Sequence, residues 1–587
     1  MRGARTITVA ALAAALAGSG PAQAQEAPPG VEAGFAAPGA SSRPCADRTY
    51  ADCRRLRFSY GPIHVTPGNN AQLIGPVTIE KPAYDGYILN MRANLVRADG
   101  SVPNVDILHL HHAVWASIPQ YGSGLPFFAA GEEKTVLGGA PGYGMAVRRG
   151  DTWILNYMLH NLITTPENVW VTYDIEYVPK ASAEAAGIKR VVPIWLDVRN
   201  DRGFYPVFNV QKGHGRVNPE TGTRECHFPR DTCAPFDPWG RKQEGNGVGW
   251  EWKVPERFAG TLVGMGGHLH PGGLRDEVDV VRNVGGEDRV RRIFNSEAVY
   301  YDPNGPVSWD MSMTVTKPGW RVRIEPGDRI RLNAVYETDK ASWYEGMGIV
   351  MGFVAPDDAS GVDPFETVRT RVRVKRPIRR RKASRRRGSA PRGASPSRAR
   401  KRPAPRARAR RRTRYRWVYR WVDRPVPIDT SGVVTHGHLP ENDNHGGEGE
   451  RPLPSKSGRI ATDVTIAGFQ YFPGDLSRVS DEGIPLVRRN STLTFRNADA
   501  AGSVWHTITT CRPPCTGRTG ISYPLADSDN PLDSLELGYG YPADMQPTAQ
   551  TSTWRVKPAE AGLASGETYT YFCRVHPFMR GAFKVVE

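Results

Sequence analysis

Short runs of alternating apolar and polar residues, cut by Gly or Pro, recur over most of this chain and leave little room for helices. Thr152-Trp153-Ile154-Leu155-Asn156-Tyr157 and Val169-Trp170-Val171-Thr172-Tyr173-Asp174-Ile175 are two; Thr492-Leu493-Thr494-Phe495 and Tyr569-Thr570-Tyr571-Phe572 are two more. A strand sends successive side chains to opposite faces, so a period of two predicts half-buried strands, whereas a helix needs a period of 3.6. Turn residues supply the breaks, with 62 Gly and 49 Pro among 587 positions. The chain is therefore expected to be all-β. Residues 40–195 and 196–362 are expected to form two jelly-roll-type β-sandwiches, because the whole block is too long for one small sandwich. Residues 455–587 form a third sandwich. No apolar run reaches the ~18–20 residues that a membrane-spanning helix requires.

Charge is concentrated in one place. From Arg369 to Arg424 there are 26 Lys and Arg against a single acid, Asp423, a net of +25 in a chain whose total is +17. With the two arginines of the first 24 residues set aside, everything else carries −10. Like charges repel and Pro interrupts regular structure, so residues 363–454 are expected to be a disordered, Arg-rich linker. It serves as a charged tether, or adheres through 369–424 to an anionic cell-envelope polymer or lipid surface. The alternation Arg416-Trp417-Val418-Tyr419-Arg420-Trp421 favours adhesion. Nucleic acid is not an expected partner, because the chain is expected to be exported.

That expectation comes from residues 1–24. Arg2 and Arg5 precede an apolar stretch from Thr6 to Gly18, and Ala22-Gln23-Ala24 supplies small residues for cleavage, the order of a signal peptide. An extracytoplasmic location permits disulfides. Six of the seven cysteines fall into three close pairs, Cys45 with Cys53, Cys226 with Cys233 and Cys511 with Cys515, and local pairing is the economical guess among 15 connectivities. Cys573 is left over. A soft metal would occupy it.

Cys573 lies in Tyr571-Phe572-Cys573-Arg574-Val575-His576-Pro577-Phe578-Met579-Arg580-Gly581, with thiolate, imidazole and thioether at three-residue steps. A second histidine, for which His506 in Val504-Trp505-His506-Thr507 is the natural choice, completes the His₂Cys-plus-axial-Met set that favours blue copper. These residues resemble the cupredoxins, with the closest local likeness to the amicyanins, whose ligand loop has the same spacing and also reads His-Pro-Phe-Met-Arg-Gly. The opening Val464-Thr465-Ile466-Ala467-Gly468-Phe469-Gln470-Tyr471-Phe472-Pro473-Gly474 is also similar. The resemblance implies a Greek-key sandwich in which His506, Cys573 and His576 hold a type 1 copper with Met579 as the weak axial ligand. It implies electron transfer with a donor or acceptor protein or a small reductant. Phe572 and Arg574 flank Cys573, where multicopper oxidases carry the histidines that wire a blue copper to a trinuclear cluster.

The first block is rich in histidine. His109-Leu110-His111-His112 sits in one expected strand, His160 ends another, and Gly266-Gly267-His268-Leu269-His270 places two imidazoles on one face. Met347 follows in a Gly-rich strand. The arrangement resembles the copper type II, ascorbate-dependent monooxygenases, whose two jelly-roll domains each carry one copper. Carried over, His111, His112 and His160 would hold an electron-donating copper, and His268, His270 and Met347 an oxygen-activating one. Neighbours in a regular strand face opposite ways, so His111 and His112 share a metal only at a bulge or strand end. His109 with His111 is the simpler chelate, and Met351 competes with Met347. Gly266, Ile349 and Met351 stand where peptidylglycine enzymes have substrate-binding Arg, Asn and Tyr, so an apolar substrate, or none, fits better than a peptide.

Taken together, the residues point to an exported copper-binding redox protein in which the C-terminal domain supplies electrons to a di-copper, monooxygenase-like module acting on an unknown substrate. The alternative is a non-enzymatic electron-transfer protein whose first block is a scaffold or copper reservoir.

Overall fold

The computed structural model describes residues 40–587, apart from 47–48, 68–73, 106, 120–124, 139, 164, 200–205, 239–240, 302–308, 340–341, 378–414, 443–452, 503, 505, 512–531, 535–536, 539–551, 574–575 and 577. The expected signal peptide, the centre of the basic segment and Cys515 lie outside the described residues. What is described is all-β: its α-helices are the short Lys180–Ala185 and Val479–Glu482. Among the described residues no helix is long and apolar enough to cross a membrane.

The first block is two antiparallel layers. Ile74–Ile79, Thr152–Asn161, Leu108–Ile118 and Leu125–Ala130 form one sheet. Arg54–Val65, Glu167–Pro179, Gly86–Arg97 and Tyr143–Val147 form the other. The apolar positions of the alternating runs meet between them. The Trp115 ring lies 5.1 Å from Phe128 in its own sheet and 5.8 Å from Tyr173 in the other, all fully buried. Large interdigitating aromatics of this kind bury 150–250 Å² each by typical values and account for much of a sandwich's stability.

The expected boundary at 195/196 runs through a strand. Lys189–Asp197 pairs in parallel with Tyr143–Val147 and antiparallel with Gly348–Ala355, so it belongs to both groups of strands. Gly348–Ala355 in turn pairs with Gly260–Leu269, the strand that leads into the His-x-His motif. Behind that strand lie Gly273–Val284 and Glu287–Tyr300. A Cβ on Gly267 would come within 2.8 Å of Asp276 and Ser296, so only glycine lets the layers approach this closely. The apolar continuity of Lys189–Asp197, buried on alternate and then successive positions, suits a strand shared by two layers.

Within 363–454, the described residues 363–377 and 415–442 are structured where disorder was expected; 378–414 and 443–452 lie outside the described residues. Thr367–Pro377 and Tyr415–Pro425 form an eleven-pair antiparallel hairpin, a compact unit of its own spanning Phe365–Pro427. Its Val, Thr, Trp and Tyr alternate with the arginines, and that period of two outweighs the charge. Cationic groups also lie over rings across the ladder, Arg371 4.3 Å from the Tyr419 centroid and Arg373 4.6 Å from Trp417. Beyond it, Gly432–Val434 pairs with Met311–Thr316, and Asn442 bonds Val105 N at 3.1 Å and Asp310 at 3.0 Å. This stretch is part of the folded body.

The C-terminal block is a sandwich of mixed sheets. Ser457–Ile460, Ile484–Arg488, Arg580–Val586, Thr568–Phe572 and Thr509–Cys511 make one; Gln470–Phe472, Asp463–Ala467, Leu493–Asn497 and Thr553–Val556 make the other. Phe495, Tyr471, Tyr571 and Phe583 fill the space between. Disulfides join Cys45 to Cys53 and Cys226 to Cys233, and Cys573 is a buried thiol.

Candidate metal centres

Two strands position the first set of histidines. His109 and His160 are direct partners across Leu108–Ile118 and Thr152–Asn161. The register then slips between Leu110 and His112, so His111 is the extra, bulged residue. That bulge is what lets adjacent residues turn their rings inward together. The His111 ring lies 4.0 Å from His160 and 4.1 Å from His112. The His-x-His strand brings its own rings alongside, with His270 4.7 Å from His111 and His268 5.0 Å from His112.

The six imidazoles thus form one buried nest with two overlapping groups able to hold a metal ion, His109–His111–His160 and His111–His112–His270. In each, the ligand atoms lie within 4.8 Å of one another. This departs from the expected partition of one ion per domain. His111 is common to both groups, and the second draws on residues of both expected N-terminal sandwiches, His111 and His112 from one and His270 from the other. His109 joins the expected set. His268 stands outside both groups, beside His112. Met351, rather than Met347, lines the cavity with His112 and His268; Met347 is fully buried and is held through its main-chain N–H and C=O by the Tyr336 hydroxyl, each at 2.8 Å.

The nest is oriented from outside. His109 donates Nδ1–H to the Val105 carbonyl at 2.9 Å, His270 donates Nδ1–H to the Glu345 carbonyl, and His268 Nδ1 bonds Glu133 Oε2 at 3.1 Å. Each bond leaves Nε2 turned inward, the usual way a protein fixes the tautomer of a ligand. The buried Nε2 atoms of His109, His160 and His268 have no hydrogen-bond partner among the described residues. Burial lowers the pKa of His109 to about 4, and holds His111, His112, His160 and His270 well below the ordinary value, with neighbouring rings adding to it. Neutral imidazoles with inward lone pairs are metal ligands in waiting. Burial alone would raise the Glu133 carboxyl, but His268 and the Gly131 amide hold it below its usual value. Trp309 closes the nest, its ring 4.7 Å from His111 and 4.9 Å from His270.

The C-terminal group is tighter. Cys573 Sγ lies 3.8 Å from Nδ1 of both His506 and His576, and those two nitrogens are 3.1 Å apart. A point equidistant from the three atoms lies about 2.1 Å from each, the length of a metal–imidazole bond and about 0.2 Å short of a metal–thiolate bond. His506 donates Nε2–H to Asp499 at 3.0 Å, which frees Nδ1. Burial would raise the Cys573 thiol, yet the two rings bring it well below the ordinary range, toward thiolate. Burial would lower His506, but Asp499 and then the Cys573 sulfur raise it above its ordinary value. Amides of Thr507 and His576 point at the sulfur, 3.3 and 3.4 Å away. Met579 is buried in the same core, its amide bonded to the His576 carbonyl at 2.9 Å. Of the four expected copper ligands, the structure brings His506, Cys573 and His576 together and places Met579 in the surrounding core.

Asp499, Glu133, Trp309 and the carbonyls of Val105 and Glu345 were not foreseen. Asp499 had a signal, since it precedes His506 in a turn; a carbonyl has none.

No protein-family model matches this chain, and no curated protein matches it. Among solved structures, a peptide-N(4)-(N-acetyl-β-D-glucosaminyl) asparagine amidase aligns over 51% of this chain and 96% of its own at 8% identity and a TM-score of 0.24. The STIV MCP aligns over 51% and 97% at 10% identity and 0.21. Scores this low carry no argument about the chain.

Proposed function

We propose that this is an exported copper redox protein in which a cupredoxin-type centre passes electrons to copper held in the histidine nest. The observation that carries the reading is the Cys573–His506–His576 triangle, whose one thiolate and two imidazoles match a type 1 copper site in identity and spacing. Copper bound there supplies one-electron exchange, and copper in an all-imidazole nest supplies dioxygen chemistry. The protein's part is to hold the donors rigidly. Asp499 fixes the His506 ring, the Thr507 and His576 amides stabilise negative charge on sulfur, and Phe469, 5.1 Å from the His576 ring, excludes water. The cavity beside the nest measures about 40 Å³ and is lined by His112, His268, Glu133 and Met351. That suits dioxygen or a water better than an organic molecule. Reduction of dioxygen is therefore the favoured activity. Hydroxylation of an organic substrate is the second reading, favoured by Met351 completing a His-His-Met wall. An anionic cell-envelope surface is the partner proposed for the basic hairpin.

Metal analysis with optical and paramagnetic-resonance spectra tests the whole. Copper at the C-terminal site with an intense thiolate band, further copper in the nest, and oxygen uptake with a one-electron reductant are expected. A blue centre alone, with no oxygen uptake, would reduce the first block to a scaffold.

A further inference from the structure

A second cleft, of about 190 Å³, opens between the first sandwich and the stretch Thr435–Glu441, and no reading of the metal centres uses it. Its floor is an unbalanced ion cluster. Asp174 receives Arg57 through two bonds, Nε at 2.6 Å and Nη2 at 2.9 Å, and Arg92 through two more, at 3.0 and 2.8 Å. Arg55 adds a third guanidinium at 2.8 Å. One carboxylate therefore faces three permanent cations. The opposite side holds Lys134 paired with Glu441 at 3.0 Å. Arg57, Arg92 and Lys134 against Asp174 and Glu441 leave the lining at +1, with Arg55 behind Asp174 adding a further positive charge and His436 committed through Nε2 to the Glu133 carbonyl. Arg57 and Arg92 stay partly exposed, so they remain open to an incoming ligand. Ala93, Val136 and Leu439 give the remaining wall an apolar surface.

We propose that this cleft binds a small organic anion through a carboxylate group. Asp174 takes the Nε and Nη2 of Arg57 and Arg92, so an incoming carboxylate would be met by the remaining N–H groups of the two partly exposed guanidiniums, whose fixed planes on one side of the cleft set its orientation. The apolar wall and the volume fit a carbon body better than a bare inorganic ion. Glu441 shows that the cleft accepts a carboxylate: brought in by the chain itself, it pairs with Lys134. The ligand competes with that internal carboxylate, and the site needs no metal.

Titration calorimetry of the full chain with succinate, against neutral succinamide and inorganic phosphate, tests this. Saturable binding of succinate, none of succinamide, and weaker binding of phosphate are expected. Arg92→Gln should weaken succinate about tenfold or more, and Arg92→Lys should restore only part of it, because charge without the fork loses the paired bonds. Arg55 and Arg57 still satisfy Asp174 in these variants, so folding should persist, which circular dichroism checks. Glu441→Gln, which removes the internal competitor, should tighten succinate. No saturable heat, phosphate binding tighter than succinate, or affinity unchanged in both Arg92→Gln and Glu441→Gln would overturn the proposal.

Discussion

His112 and His270 meet Nε2 to Nε2 at 3.0 Å, although 158 residues separate them in sequence. His270 has already given its Nδ1–H to the Glu345 carbonyl, so its Nε2 presents a lone pair to this contact. A shared proton or a shared cation satisfies that arrangement. His111, in both metal-capable groups, is the hinge of the nest. His111→Ala leaves each group two nitrogens. Affinity of the nest for copper should fall by more than the roughly 10–100-fold seen when a residue supporting a ligand is lost. Metal counts after dialysis should drop by the nest's whole complement, while the thiolate band stays. An undiminished count would show that the groups do not share this ring.

At the C-terminal centre, Cys573→Ser should abolish the intense visible band and keep the fold, because serine fills nearly the same space. Asp499→Ala should keep the band but weaken metal affinity about 10–100-fold, since the His506 ring loses the bond that orients it. Optical titration with copper separates the two. A band that survives in Cys573→Ser would place the metal elsewhere.

Most of this site was legible because its chemistry is local. Cys573, His576 and Met579 fall within seven residues, and their spacing alone restricts the donors. His506 was reachable because a strand and turn signal framed it. The nest was only half legible. Pattern analysis finds His109, His111, His112, His160, His268 and His270, but which rings share an ion depends on the slip at His111 and on a strand, Lys189–Asp197, that two sandwiches hold in common. Neither a bulge nor a shared strand changes the period of the sequence. The basic hairpin was missed for the opposite reason: its charge masked the alternation of Val368, Thr370, Val372 and Val374, which pairs residue for residue with Tyr415–Pro425.

Asp358 ties the two groups of strands and makes stability pH-dependent. It accepts from the Tyr143 hydroxyl, from Ser360 N and Oγ at 2.9 Å each, and pairs with Lys189 at 3.4 Å. Burial opposes ionisation, but these donors outweigh it and bring the carboxyl to about 2. A folded value below the unfolded one of about 3.9 means the stabilisation is complete above about pH 4 and is lost as pH falls toward 2. Asp358→Asn should cost about 1–3 kcal/mol at neutral pH, by loss of charged hydrogen bonds. It should also flatten the acid limb of a denaturation curve over that window. An unchanged limb would assign the acid sensitivity to other carboxylates.

The anionic surface proposed as the hairpin's partner can be tested on its exposed aromatic and basic face. Trp417, Tyr419 and Trp421 share one face and are 50%, 60% and 58% exposed, and Arg371, Arg373 and Lys375 of the paired strand lie beside them. Rings that enter a headgroup region beside cations are suited to a lipid or polyanion surface, at about 1 kcal/mol per basic residue near an anionic membrane. Removal of residues 365–427 should abolish co-sedimentation with vesicles containing phosphatidylglycerol while leaving the visible spectrum intact. Trp417→Ala with Trp421→Ala should weaken that binding about tenfold or more, since both rings are lost as buried area. The interaction should fade between low salt and 0.5 M salt, where the screening length shrinks to about 4 Å. Equal binding to purely zwitterionic vesicles, or full retention without the hairpin, would rule the surface out.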